Sequence, residues 1–168
     1  MKHLSKINAI AVFIWMLTLF ASLSAYAHDN TESKSSSGAD RIVGVWNVQV
    51  TVANCAGGPP VATFPAMHKY EVGGTGQVVP GSNPALLSAH MMVWTRLGHN
   101  DYVSRFKMFR YDAAGNRLGW VVATNEVSIN KKATEYTGSG VAEFFDNDGN
   151  FLMASCPTFS GTRFSAEP

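Results

Sequence analysis

Residues 42–52, with the sequence IVGVWNVQVTV, decide the fold, because they carry the alternation of a strand that is buried on one face. From Trp46 to Val52 every second residue is apolar, and the residues between them are polar. A period of two places the apolar side chains on one side of a strand, against a core, and the polar ones in water. The stretch is therefore predicted to be the first strand of a sheet.

The end of the chain supplies a partner for this strand. Residues 156–164, CPTFSGTRF, have the composition of a last strand. In antiparallel strands the numbers of facing residues have a constant sum. If Trp46 faces Arg163 and Cys55 bonds to Cys156, the two pairs of residue numbers have sums that differ by only two. One bulge or a slightly offset bridge absorbs such a mismatch. Because first and last strands that pair close a sheet, we expect a barrel.

Six further stretches between these two also have strand composition, and short links, most of which contain glycine, proline or asparagine, separate them. No strong helix pattern occurs among them. The sequence therefore predicts an all-β fold, an eight-stranded antiparallel up-and-down barrel, which is just wide enough for a side-chain core or one small ligand. The eight strand candidates are residues 42–52, 64–72, 77–79, 88–97, 101–111, 118–130, 135–145 and 151–164.

Residues 1–27 have the features of a secretory signal peptide. Lys2 and Lys6 give the positive start, residues 7–20 the apolar core and residues 25–27, AYA, the cleavage site. The alternative is an uncleaved anchor, but the apolar stretch is short for a membrane span. We therefore expect an exported protein, periplasmic or secreted, without stable membrane insertion after signal cleavage.

The rest of the chain divides into a leader and one domain. Residues 28–40 are polar, lack apolar periodicity and are predicted to be a disordered leader. Residues 41–165 are long enough for one domain with a core and too short for two. In an oxidising compartment, Cys55 and Cys156 most simply form one disulfide, with two buried free thiols as the alternative.

The charge balance argues against two classes of partner. Without Lys2 and Lys6 the 13 lysine and arginine residues become 11, against 12 aspartate and glutamate residues. A nearly neutral chain lacks the basic surface by which proteins bind nucleic acid or anionic membranes. We therefore expect no nucleic-acid partner.

The predicted interior contains small residues beside aromatic ones. Gly138, Gly140 and Ala142 share one face of a strand and leave space there. Such a lining is typical of a pocket for a small hydrophobic or aromatic molecule. Alternatively, the glycines only permit strong coiling of the sheet, and bulky neighbours fill the interior. The candidate ligand-binding residues are Phe64, His68, Tyr70, Tyr102, Phe106, Met108, Tyr136, Gly138 and Phe144.

Metal and catalytic motifs are weak in this sequence. His68 is the only histidine that the alternation clearly directs inward, and no paired spacing such as His-x-His accompanies it. Residues 146–149, DNDG, lack the spacing of a calcium loop and are predicted to be a hairpin turn. Neither a Gly-x-Ser-x-Gly elbow nor a phosphate-binding loop is present. We therefore expect no metal, no cofactor and no catalytic residues.

Six short motifs occur along the domain. They are Gly44-x-Trp46, Cys55-x-x-Gly58, Gly73-Gly74, His90-x-x-x-Trp94, Asp112-x-x-Gly115 and Gly161-x-Arg163-Phe164. Together they resemble the calycin superfamily, and in particular the small exported lipocalin-like proteins of bacteria. In such families a tryptophan on the first strand and an arginine on the last close the base of the barrel. The resemblance therefore implies that Arg163 stacks on Trp46, a contact worth about 0.5–2 kcal/mol.

Three functions are compatible with these features. The first is binding of a small hydrophobic molecule inside the barrel. The second is a barrel cyclase or isomerase, in which His68 and a tyrosine would act on a bound hydrophobic substrate. The third is a structural or interaction protein with a packed core, which predicts an exposed apolar patch around Met91, Met92 and Trp94.

Overall fold

The computed structural model describes residues 41–166, which form a closed barrel of eight antiparallel strands. Each strand pairs with the next and the first pairs with the last, so the predicted up-and-down barrel is confirmed. The predicted signal peptide and leader lie outside the described residues. The strands are β1 (Gly44–Ala53), β2 (Ala62–Tyr70), β3 (Thr75–Pro80), β4 (His90–Arg96), β5 (Asp101–Tyr111), β6 (Arg117–Ile129), β7 (Glu135–Phe145) and β8 (Phe151–Arg163).

A single 3-10 turn, Pro84–Leu86, is the helical element of the described chain, and it lies between β3 and β4. Asn83 caps it by accepting a hydrogen bond from the backbone N–H of Ala85 at 3.0 Å. No helix within residues 41–166 is long and apolar enough to cross a membrane.

The junction of β1 with β8 closes the barrel in the predicted register. Pairing runs without a shift from Trp46 opposite Arg163 to Ala53 opposite Cys156. Cys55 lies beyond the end of β1 and forms a disulfide with Cys156, with the two Cα atoms 4.9 Å apart. The two-residue mismatch therefore arises because the chain turns back after β1, and no bulge interrupts this junction.

Arg163 holds the end of the barrel at which β1 begins. Its guanidinium carbon lies 4.3 Å from the centre of the Trp46 ring. The same group donates hydrogen bonds to the backbone carbonyls of Ala133 at 2.7 Å, Val43 at 2.8 Å and Arg41 at 2.5 Å. One side chain thus ties β8 to the start of the described chain and to the β6–β7 turn.

Gly44 is required by this arrangement. Its φ of +137° is a conformation that other residues rarely adopt. A Cβ atom at this position would lie 2.5 Å from Nη1 of Arg163. The glycine of the Gly-x-Trp motif therefore makes room for the arginine that covers the tryptophan.

Aromatic side chains fill the half of the interior next to Arg163. The rings of Trp46 and Tyr136 meet edge to face with their centres 4.9 Å apart, and Tyr70 meets Trp94 at 6.2 Å. Tyr136 lies over Gly161, the residue opposite it on β8, where a Cβ atom would be 2.6 Å from the ring. This half of the barrel is a solid core.

Strand β4 directs His90, Met92 and Trp94 into the barrel. Met92 and Trp94 are only 3% and 8% exposed, whereas Met91 is 64% exposed. The expected surface patch around Met91, Met92 and Trp94 is therefore wrong for its last two members. Apolar residues occur on both faces of this strand, so its alternation did not indicate which face is buried.

The disulfide is expected to contribute substantially to stability, because it closes a loop with a sequence separation of 101 residues. Loop-closure entropy predicts that the double variant Cys55→Ser/Cys156→Ser loses about 4–5 kcal/mol of unfolding free energy, before any strain is subtracted. Urea denaturation followed by circular dichroism measures this loss. A reducing agent should destabilise the native protein and leave the double variant unchanged; equal stability of the two proteins would contradict the prediction.

The geometry of Arg163 predicts that a lysine cannot replace it. Arg163→Lys keeps the charge but loses the fork that reaches three carbonyls, so the unfolding free energy should fall by about 1–3 kcal/mol. Arg105→Lys, on the exposed outer face of β5, is the matched control and should change it by less than about 0.5 kcal/mol. If the two substitutions lower the unfolding free energy equally in urea denaturation, the hydrogen bonds of the Arg163 guanidinium do not stabilise the fold.

Candidate binding cavity

A cavity of about 200 Å³ occupies the half of the barrel interior that lies away from Arg163. Inward side chains of all eight strands contribute to its wall, and most of them are apolar. Among the described residues that line it, none is an acid, a lysine or an arginine. The lining consists of Val50, Val52, Phe64, Ala66, His68, Val78, Pro80, Ser82, Leu87, His90, Phe106, Met108, Val121, Ala123, Asn125, Ala142, Phe144, Ser155, Pro157 and Phe159.

The predicted ligand-binding residues divide between the two halves of the barrel. Five of them line the cavity: Phe64, His68, Phe106, Met108 and Phe144. The other four are not among its lining residues: Tyr70, Tyr102, Tyr136 and Gly138. Tyr70, Tyr102 and Tyr136 are at most 2% exposed and belong to the packed core. Alternation identifies the inward face of a strand but not the depth at which each residue lies.

The glycines of β7 leave no free space for a ligand. Gly138 faces Phe159 of β8, and its missing side chain is replaced by the ring of that phenylalanine. Gly140 faces Asn125 of β6, whose amide lies over it in the same way. The cavity begins further along the strand, where Ala142 stands opposite Ala123. Two small side chains that face each other leave the interior open there.

His68 lines the cavity and is anchored to the packed core. Its Nδ1 atom shares a hydrogen bond of 2.8 Å with the hydroxyl of Tyr136. Burial, aided by the proximity of His90, lowers the pKa of His68 to about 4. Burial also raises the pKa of Tyr136. Both groups are therefore uncharged at neutral pH, and each satisfies the other.

His90 also faces the cavity, which corrects the expectation that His68 is the only inward histidine. Its side chain is 3% exposed and stacks on Phe106, with ring centres 5.6 Å apart and an interplanar angle of 11°. Both ring nitrogens are buried without a hydrogen-bond partner within residues 41–166. Such a group costs about 1–3 kcal/mol when it is left unpaired. Burial lowers the pKa of His90 to about 4, so its imidazole is neutral.

Pairing across strands could have identified His90. His68 on β2 faces Val78 on β3, and Val78 faces His90 on β4, so the three side chains form one inward row. The register of the short strand β3 was needed to see this relationship. The sequence predicted β3 only as residues 77–79 and therefore did not define the row.

The connection between β3 and β4 contributes to the cavity wall. Ser82 and Leu87, on either side of the 3-10 turn, are part of the lining. Leu87 forms an isolated bridge with Arg110, and the Ser88 hydroxyl accepts a hydrogen bond from the Phe109 backbone at 2.8 Å. These contacts fasten the connection to β5.

Two wider depressions, of about 770 and 660 Å³, are formed largely by outward side chains on the outside of the barrel. Exposed residues such as Gln49 and Thr162 line the first, and Met91 and Lys107 line the second. They are more open than the interior cavity. In the part of the chain that the structure describes, no three His, Cys, Asp or Glu residues cluster as metal ligands.

Comparison with protein-family models, with curated proteins and with solved structures finds no match. The chemistry of the cavity is therefore inferred from its own residues. Those residues provide an apolar wall and two neutral imidazoles, His68 with a partner and His90 without one.

The two buried histidines predict a loss of stability in mild acid. Because their folded-state pKa values lie near 4 and an unfolded histidine titrates near 6.5, the unfolded state binds more protons between these values. Stability is thus fully present above pH 6.5 and falls as the pH drops towards 4, by up to about 1.4 kcal/mol per pH unit for each histidine. Urea denaturation at pH 7.5, 6.5, 5.5 and 4.5 measures the slope.

The single variants His68→Gln and His90→Gln should each remove about half of this slope. A free energy of unfolding that stays constant from pH 7.5 to 4.5 in the native protein would contradict the assignment of two neutral buried imidazoles.

Proposed function

We propose that this protein is an exported, lipocalin-like binding protein that holds one small apolar or aromatic molecule in the cavity of its barrel. The observation that carries the proposal is the cavity of about 200 Å³ with an almost wholly apolar wall. Apolar enclosure with a few polar groups is the usual composition of a small-molecule site. Burial of the ligand surface would supply most of the affinity, at roughly 25 cal/mol per Å² before the cost of association.

The size of the cavity limits the ligand. An engineered cavity of about 150 Å³ in another protein binds benzene, whereas drug-sized ligands occupy roughly 300–1,000 Å³. The volume here therefore suits a molecule of about eight to ten non-hydrogen atoms, such as one substituted ring or a short chain. Long-chain fatty acids exceed this volume.

Two features support export and the lipocalin-like type. A disulfide that joins Cys55 to Cys156 is expected of a protein in an oxidising compartment. The stacking of Arg163 on Trp46, together with the closed eight-stranded barrel, is what the resemblance to small exported lipocalin-like proteins implies. Both agree with the signal peptide expected from residues 1–27.

Binding is favoured over the two alternatives. A cyclase or isomerase would need His68 and a tyrosine to face a common point in the cavity, whereas the Tyr136 hydroxyl is hydrogen-bonded to His68 and lies in the filled half. A purely structural barrel would need a filled interior throughout. The cavity that Ala123 and Ala142 line does not fit that role.

Filling the cavity should abolish binding. Ala142→Phe places a ring in the cavity, and Val141→Phe places the same ring on the outer face of β7, where Val141 is 43% exposed. With toluene as the probe, calorimetry or saturation-transfer NMR should show a binding constant at least tenfold weaker for Ala142→Phe and unchanged for Val141→Phe. Circular dichroism confirms that both variants fold. If toluene and other single-ring compounds such as ethylbenzene fail to bind the native protein, the proposed function is wrong.

A further inference from the structure

His90 is the one titratable side chain of the cavity wall whose polar atoms are all unpartnered within residues 41–166. We propose that His90 is the polar anchor of the site and that the natural ligand class is a neutral, single-ring compound with a hydroxyl group, of the phenol type. This inference rests on the proposed function and adds the chemistry by which the ligand is selected.

The orientation of His90 fits an anchor. The rings of Phe106 and His90 lie nearly parallel and offset from each other, with their centres 5.6 Å apart. Hydrogen bonds to imidazole nitrogens lie in the plane of the ring, so a ring that lies parallel to the imidazole does not occupy these directions, and a side chain that is only 3% exposed has little room to rotate. Rigid polar groups of this kind discriminate between ligands better than mobile ones.

The charge of the site favours a neutral ligand. His68 and His90 are the titratable groups of the described lining, and both are uncharged at neutral pH because burial disfavours their protonated forms. A carboxylate or an ammonium group would enter an apolar site without a counter-charge, and this is unfavourable. A neutral group that hydrogen-bonds is the form of polarity that the wall accepts.

A hydroxyl group matches a neutral imidazole in either tautomer. The imidazole has one nitrogen that donates and one that accepts, and a hydroxyl group can do both. His68 is less suited to this role, because its Nδ1 is already bonded to Tyr136. The apolar rings of Phe64 and Phe144 on the rest of the wall suit an aromatic ring attached to that hydroxyl.

The test compares 4-methylphenol, toluene and 4-methylbenzoate, which share a methyl-substituted ring and differ in their polar group. Calorimetry at pH 7.5 should show that native protein binds 4-methylphenol about tenfold more tightly than toluene, as one net hydrogen bond allows. 4-Methylbenzoate should bind at least tenfold more weakly than 4-methylphenol. In His90→Phe the affinities for 4-methylphenol and toluene should differ by less than twofold. His90→Gln keeps a donor and an acceptor, so it should retain part of the preference for 4-methylphenol.

A second measurement avoids dependence on folding of the variants. Imidazole ¹⁵N NMR of the native protein should show a shift of the His90 nitrogens on addition of 4-methylphenol that toluene does not produce. Three results would each overturn the role of His90 as the anchor: equal affinities for 4-methylphenol and toluene, a preference for 4-methylphenol that persists in His90→Phe, and unshifted His90 nitrogens. In each case binding of toluene would still support the proposed function. Tight binding of 4-methylbenzoate would overturn the neutral-ligand class. If none of the three compounds binds, both proposals fail together.

Discussion

The structure depends on the pairing of β1 with β8, because an up-and-down sheet that stayed open would expose two unpaired strand edges. This junction is secured at both of its ends. At one end Arg163 covers Trp46 and donates hydrogen bonds to three backbone carbonyls. At the other end the disulfide between Cys55 and Cys156 continues the junction past the last paired residues. A closed barrel with a defined interior follows from these two attachments.

The distribution of small residues then determines where the interior is solid and where it is open. Gly138 and Gly161 each lie opposite an aromatic residue of the neighbouring strand, and the ring fills the place of the missing side chain. These pairs permit the dense aromatic core beside Arg163. Ala123 and Ala142 lie opposite each other instead, and both line the cavity. A small residue on the inward face therefore does not by itself leave space, because a ring on a neighbouring strand can occupy its place.

The two buried histidines show how neighbouring positions in one row acquire different roles. His68 is satisfied by the Tyr136 hydroxyl and forms part of the support of the cavity. Within residues 41–166 both ring nitrogens of His90 lack a hydrogen-bond partner, and its ring lies nearly parallel to that of Phe106. A neutral imidazole in an apolar wall stabilises the fold poorly, and this is the physical basis of the proposal that His90 anchors a ligand.

Patterns in the sequence were sufficient to predict the barrel. Strand alternation and turn residues identify the strands and their links, and the positions of Trp46, Arg163 and the two cysteines indicate that the first strand pairs with the last. They were not sufficient for the site. The inward position of His90 and the depth of Tyr70, Tyr102 and Tyr136 depend on the register of short strands and on the shear of the closed sheet. Alternation along one strand carries no information about either, so only the tertiary structure decided which inward residues fill the core and which surround the cavity.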